Sequence, residues 1–307
     1  VRRQRGGLPG RRRRWGPGRP CRLAGFEGEA VPEQRVGAVR LYGRLRDRVG
    51  LDPGPGHRGP GRNRVRGAQD RPGEDDMLDA GTKVRGVDYL IGHDARYAHV
   101  EEWVYGSCPA AGYAQISLPA VCGRYQKRAV IFMAKRRLDA LHPYQQRGLD
   151  AGADVHWVPN GMLSVTQARA REYVAESPTT RMLLPMGLEH PTVFGSFIRV
   201  ARNLPISPQY VWTVGSSGTL NRSLQLAWPE AEVHVVSTGH QMSEEEIGRA
   251  HFHRSPYTFN QVVPSREQPP FPSAVGYDAK AWAPMMKWYR NTRVAGSGVV
   301  LFWNVGA

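Results

Sequence analysis

Short apolar runs alternate along most of the chain with longer stretches of helical spacing. Seven runs rich in β-branched and aromatic residues predict strands: Trp103 to Tyr105, Ala129 to Ala134, Val155 to Pro159, Arg181 to Pro185, Tyr210 to Val214, Val233 to Ser237 and Val299 to Trp303. Between them, Leu138 to Ala151, Val165 to Ser177 and Leu220 to Trp228 combine apolar residues at helical intervals with polar faces. This alternation predicts an α/β fold of mostly parallel sheets covered by helices, because parallel neighbours need a crossover long enough to hold a helix. About 230 residues follow Met77, enough for two lobes with a shared cleft. Ligands in such sheets sit beyond the C-terminal ends of the strands, where the turns at Gly106 and Gly215 fall. Pro264 to Pro272 predicts a mobile surface loop.

Two distant segments carry the candidate chemistry. Val214-Gly215-Ser216-Ser217-Gly218-Thr219 ends an apolar stretch and precedes a helical one, so its backbone N–H groups can cradle a phosphate. Gly81-Thr82-Lys83-Val84-Arg85-Gly86 places a lysine at a predicted helix start, a candidate for Schiff-base chemistry if its amine can lose its proton. Taken singly, Lys83 reads as a surface lysine and the glycine turn as a plain loop. Ser243 is a good N-cap for a first turn containing Glu244, Glu245 and Glu246. His240, His251 and His253 are candidates for a metal cluster, with His251 and His253 on one side of a strand. Cys108 is either a thiol activated at a helix N-terminus or a small buried residue beside the cavity.

Neighbouring residues turn these segments into a resemblance. Glu74 to Leu90, with Lys83 between an acidic turn and a helix start, resembles the reactive-lysine region of fold-type II pyridoxal-phosphate enzymes. That family includes threonine dehydratase, cysteine synthase, 1-aminocyclopropane-1-carboxylate deaminase and D-cysteine desulfhydrase. Gln209 to Trp228 is similar to the family's strand, phosphate loop and helix. Gly276-Tyr277-Asp278-Ala279-Lys280 resembles a Tyr-Glu-Gly-Lys segment of the deaminase and desulfhydrase branch, and Val299 to Gly306 its closing strand.

The resemblance implies pyridoxal 5'-phosphate in a cleft between two lobes. Lys83 would bind it as a Schiff base and move protons at the substrate. Gly215, Ser216, Ser217, Gly218 and Thr219 would hold its phosphate, Asp278 would meet its pyridine nitrogen, and Tyr277 would contact the substrate or donate a proton. The family's ring-binding asparagine is missing from Tyr105 to Gln115, where Tyr113 and Ser107 are the candidate substitutes. The implied function is a lyase or deaminase acting on a small amino acid. Two alternatives stand beside it: a phage-type relative that remodels amino-acid adducts on hypermodified thymine in DNA, and an inactive, truncated homologue without cofactor.

Composition separates the first quarter from the rest. Residues 1 to 76 hold 19 arginines, no lysine and 9 acidic residues, so ten of the chain's fifteen net positive charges lie there. With dense glycine and proline and few aliphatic residues, this segment predicts a disordered basic tail. It reads as a nucleic-acid-binding arm, as a targeting segment, or as GC-rich DNA translated out of frame or upstream of the true start. Acidic Glu27, Glu29 and Glu33 oppose the targeting reading. The expected organisation is a tail over 1–76, a cofactor-binding lobe from 77–95 and 187–307, and a smaller lobe over 96–186. No apolar run of membrane-spanning length occurs, and Cys21, Cys108 and Cys122 form no disulfide framework or zinc spacing. A cytoplasmic setting and a homodimer are the expectations, the latter from the resemblance.

Overall fold

Each strand predicted from an apolar run lies in one of two sheets. The computed structural model describes residues 40–42, 83–159, 161–239, 241–271, 273–292 and 299–304. Strand β1 (Arg40–Tyr42) comes first, followed by α1 (Lys83–Gly92), β2 (Glu102–Tyr105), α2 (Ala114–Arg124), β3 (Arg128–Ala134), α3 (Pro143–Asp150) and β4 (Asp154–Val158). The chain continues with α4 (Leu163–Ala175), β5 (Arg181–Leu184), α5 (Pro191–Arg202), β6 (Tyr210–Gly215), α6 (Thr219–Ala227) and β7 (Glu232–Ser237). It closes with a short α7 (Glu244–Ile247), β8 (His251–Arg254), α8 (Ala279–Asn291) and β9 (Val300–Phe302). Apart from β1, the arginine-rich segment and the nucleic-acid reading attached to it lie outside the described residues.

One sheet has the order β4-β3-β2-β5 and is parallel throughout, with Val104 level with Val130 on one side and Leu183 on the other. The other has the order β1-β9-β6-β7-β8; its last four strands are parallel and β1 is antiparallel at the edge. The main apolar cluster reaches both sheets, joining Leu90 of α1, Trp103 of β2 and Leu118 of α2 to Leu224 of α6 and Val233 of β7, while a smaller cluster lies on the other face of each sheet. Among the described residues, no helix is long and apolar enough to cross a membrane.

Local chemistry sets the differences from expectation. The helix predicted over Leu138 to Ala151 is divided into a 3-10 turn at Leu138–Ala140 and α3. Pro143 is the cause: it has no N–H to donate and holds His142 extended, so the helix begins at the proline. His142 then caps it, accepting from Tyr144 N through Nδ1 at 3.1 Å. Ser243 and Glu246 form the expected capping pair at α7. The segment predicted as a surface loop sends Phe271 inward against Trp282 and Phe302. Strand β8 had no apolar signal, since His251-Phe252-His253-Arg254 is short and polar.

Where the chain leaves β5 for α5, two successive residues are left-handed: Gly187 at φ +71° and Leu188 at φ +54°. Leu188 is completely buried. A left-handed leucine is strained, and the surrounding packing holds it.

At the N-terminal ends of the parallel strands, Glu102 of β2 accepts from Arg128 Nη1 at 2.6 Å, Tyr173 Oη at 2.7 Å and Arg181 Nε at 2.8 Å. One carboxylate thus ties β2, β3, β5 and α4 together. Glu102→Ala is expected to cost about 3 kcal/mol in urea denaturation, because it removes three charge-assisted bonds at a nearly buried carboxylate, although Arg181 keeps Glu176 and the Tyr173 carbonyl.

Candidate active site

A cavity of about 450 Å³ takes its walls from residues just past the C-terminal ends of β2, β5, β6 and β7, where ligands sit in parallel sheets. Lys83, Tyr113, Tyr277 and the whole Gly215 to Thr219 turn line it together. Of the residues that the resemblance assigns to the cofactor site, Asp278 alone is not in the wall: it is completely buried, one residue along the chain from Tyr277. The ring-nitrogen contact implied for it is therefore not visible from the cavity side.

The turn after β6 is built to present amides. Gly218 caps α6 at φ +76°, and a Cβ there would stand 2.3 Å from the Glu246 carbonyl oxygen, so glycine is required twice over. Among the described residues, the N–H groups of Ser216, Ser217 and Gly218 meet no backbone acceptor. Thr219 opens the helix, whose first amides and positive end face the same place. Ser217 Oγ and Thr219 Oγ1 are 3.1 Å apart, and Thr219 Oγ1 donates to the Gly187 carbonyl at 3.4 Å. This bond braces the turn on the link between β5 and α5. Gly187 is left-handed, and a Cβ there would also stand 1.9 Å from Ser217 Oγ, so both backbone and space call for glycine. Pro185-Met186-Gly187 was a turn signal that the sequence reading passed over.

Lys83 is the first residue of α1 and partly buried. Burial lowers its pKa from 10.5 to about 8, against the opposing pull of Glu189. Glu189 is itself paired with Arg222 at 2.7 Å. Its place at a helix N-terminus adds in the same direction, since the helix dipole disfavours a cation there. Among the described residues no carboxylate lines the cavity, so none of them holds the ammonium form by contact from the wall. An amine with a substantial neutral fraction and a row of open amides in one cavity suit a phosphorylated aldehyde: the aldehyde for the amine, the phosphate for the helix start.

The remaining wall is aromatic and polar. Tyr113 Oη lies 2.9 Å from Tyr144 Oη, and the Tyr113 ring meets Tyr277 edge-on at 6.2 Å. Burial first pushes the Tyr113 and Tyr277 pKa values upward, with Tyr144 and then the Asp278 charge adding to it at Tyr113 and the Asp278 charge at Tyr277, so both keep their protons. Ser107 is buried and accepts from Gln167 Nε2 at 2.9 Å. Gln115, also in the wall, donates to the Ala110 carbonyl at 2.6 Å while its Oε1 is buried without a partner. Cys108 lines the cavity, but burial raises its thiol pKa, which removes the activated-thiol reading. Arg136, Phe259 and Asn260 complete the wall from loops that gave no sequence signal.

The histidines lie elsewhere. His253 Nε2 is 2.9 Å from Nδ1 of His234, which stacks on Trp212 at 4.3 Å. His240 lies outside the described residues, and among those residues no group of three His, Cys, Asp or Glu could hold a metal ion.

No protein-family model and no curated protein matches the sequence. Among solved structures, the crystal structure of an ACC deaminase homologue matches with a TM-score of 0.61 at 14% identity, covering 74% of this chain and 79% of that one. Diaminopropionate ammonia lyase from Escherichia coli in its apo form matches with a TM-score of 0.47 at 12% identity, over 68% of this chain and 64% of that one. The processed form of threonine deaminase isoform 2 from Solanum lycopersicum matches with a TM-score of 0.43 at 16% identity, over 57% and 48%. The chain thus spans less than two thirds of the length of these last two enzymes. The likeness to the ACC deaminase homologue establishes the fold, two mostly parallel sheets flanked by helices.

Proposed function

We propose that the chain is a pyridoxal-phosphate-dependent lyase or deaminase acting on a small amino acid, with Lys83 as the residue that carries the cofactor. The observation that supports it most is the pairing, in one cavity, of an amine depressed to about 8 with the open amides of Ser216 to Thr219. The fold shared with an ACC deaminase homologue agrees with it. Bound pyridoxal phosphate supplies an electron sink for bonds at the substrate's α-carbon.

The protein's own groups do the rest. The Ser216 to Thr219 amides would hold a phosphate at the helix start. Lys83 would hold or move a proton at the substrate's α-carbon or β-carbon, and its lowered pKa suits both directions near neutral pH. Tyr277 and Tyr113 stay protonated and so act as donors along the wall; burial keeps them so, and the Asp278 charge adds to it.

The test is the pH dependence of cofactor capture. Pyridoxal phosphate is added over a pH series, the product is reduced with borohydride, and the modified peptide is identified by mass spectrometry. The attacking amine must be neutral, so capture by Lys83 is expected to rise with pH and reach half of its plateau near pH 8. Capture spread over many lysines, with a midpoint near an ordinary lysine's 10.5, would remove the proposal.

A further inference from the structure

One buried cation takes no part in the chemistry above. Lys280, in the first turn of α8, is 1% exposed, and its Nζ donates to the Thr258 carbonyl at 2.8 Å and the Phe259 carbonyl at 3.0 Å. The Phe259 ring centroid lies 5.8 Å from the charge. Phe259 and Asn260 form one wall of the cavity.

The Gly239 backbone packs closely against Thr258 and Phe259, but among the described residues the stretch that carries this wall makes no hydrogen bond to a strand or α-helix other than the two from Lys280. Residues 256–262 contain no helix or strand. Their own bonds are local: Tyr257 N to Ser255 Oγ at 3.1 Å, Thr258 N to Gln261 Oε1 at 2.8 Å, and Gln261 N back to the Thr258 carbonyl at 3.1 Å. Tyr257 Oη reaches only Glu267, in the next turn, at 2.7 Å. A turn closed on itself belongs to the least stable part of a fold unless something distant holds it.

The choice of an ammonium is informative. Removing a lysine from water costs several kcal/mol that a methionine of similar length would not incur, so fold stability alone favours the apolar residue. The burden is visible as a pKa lowered by burial from 10.5 to about 8. What methionine cannot supply is two charge-assisted bonds to neighbouring carbonyls. We infer that Lys280 is a positioning residue: by pinning the Thr258 and Phe259 carbonyls it fixes the Phe259–Asn260 wall, which then presents a preformed surface to the cavity's occupant. For the occupant to be a cofactor with its amino acid, the inference rests on the function proposed above; the tethering itself does not.

The experiment compares the full chain carrying Lys280→Met or Lys280→Arg with the wild type by amide hydrogen exchange, without added ligand. Lys280→Met is expected to speed exchange at least about tenfold in peptides covering 255–263 and to leave β6 and α6 unchanged. Lys280→Arg, whose guanidinium can donate to both carbonyls, is expected to restore most of the protection. If Lys280→Met does not fold, Lys280→Gln replaces it, with intermediate protection expected. Wild-type protection of 255–263 without the ammonium overturns the inference. So does faster exchange throughout the molecule, or failure of both variants to fold, since each marks a residue needed for general stability. Pyridoxal phosphate is the second probe: its visible band is expected to form in both proteins, at a higher cofactor concentration in Lys280→Met. If neither protein forms the band while 255–263 loosens, the cofactor reading falls and the tether stands.

Discussion

Lys83→Met is expected to give a protein more stable than the wild type and chemically inert. The gain follows from the buried amine: lowering a lysine pKa from 10.5 to about 8 corresponds to about 3 kcal/mol spent on keeping the group charged at neutral pH. Lys83 is partly exposed, so about 1–3 kcal/mol should return in urea denaturation at pH 7. The sign is fixed by linkage. The folded pKa lies below the unfolded one, so the penalty is full below about pH 8 and fades as pH rises from there towards 10.5. The difference between variant and wild type should shrink over that same range. Pyridoxal phosphate added to the variant should give no band that borohydride abolishes, and any amino-acid turnover should fall by at least about 10³-fold, with nucleophile and proton carrier both gone. An inert variant that is less stable than wild type would mean that the contacts of Lys83 in the folded chain outweigh its burial cost. An active one would end the assignment.

Gly218→Ala should fail in the opposite way, losing stability and anion binding together. A left-handed alanine costs about 1–2 kcal/mol by itself. The new Cβ would also stand 2.3 Å from the Glu246 carbonyl oxygen, a backbone atom that moves only with α7. A total loss of about 2–4 kcal/mol is expected, with the Ser216 to Thr219 amides turned away from a common point. Losing two or more of those amide bonds, at about 1.5 kcal/mol or more each to a charged group, should lower phosphate or pyridoxal-phosphate affinity by about a hundredfold. Gly195→Ala is the control. It lies inside α5 with open space around it, and replacing a helical glycine there should gain up to about 1 kcal/mol without touching the cavity. Unchanged affinity in Gly218→Ala would show that the turn is not the phosphate cradle.

The fold was legible where burial imposes a pattern. Interior strands such as β3, β6 and β7 are nearly continuous β-branched and aromatic runs, since a parallel sheet covered on both faces has no polar side. Strand β8 escaped because an edge strand need not be apolar; it is held by its register against β7 and by the stacking of its histidines. In the cavity, the Gly215 to Thr219 turn was readable because left-handed backbone and open amides demand glycine and small hydroxyl residues. Lys83 was readable only by resemblance. Arg136, Phe259 and Asn260 were not readable at all, since each reaches the cavity through a loop whose path is set by distant contacts. Asp278 illustrates the limit: its sequence neighbour Tyr277 reaches the wall, and one step along the chain is enough to bury the carboxylate beneath it.

The left-handed pair between β5 and α5 bears on what mutation can do to this chain. At Leu188 the backbone asks for glycine or asparagine, and the completely buried site asks for a large aliphatic side chain. No residue type meets both demands. Leucine accepts the strain to fill the space, while glycine would relax the backbone and leave a hole. At Gly187 the conflict is absent and only one residue fits. A library randomised at these two adjacent codons should return survivors close to the parental pair, with nothing like the tolerance that exposed Leu138 allows. Repair of damage at either position would have to come from compensating changes around Ser217 and Thr219, so this link and the turn it braces are expected to diverge together or not at all.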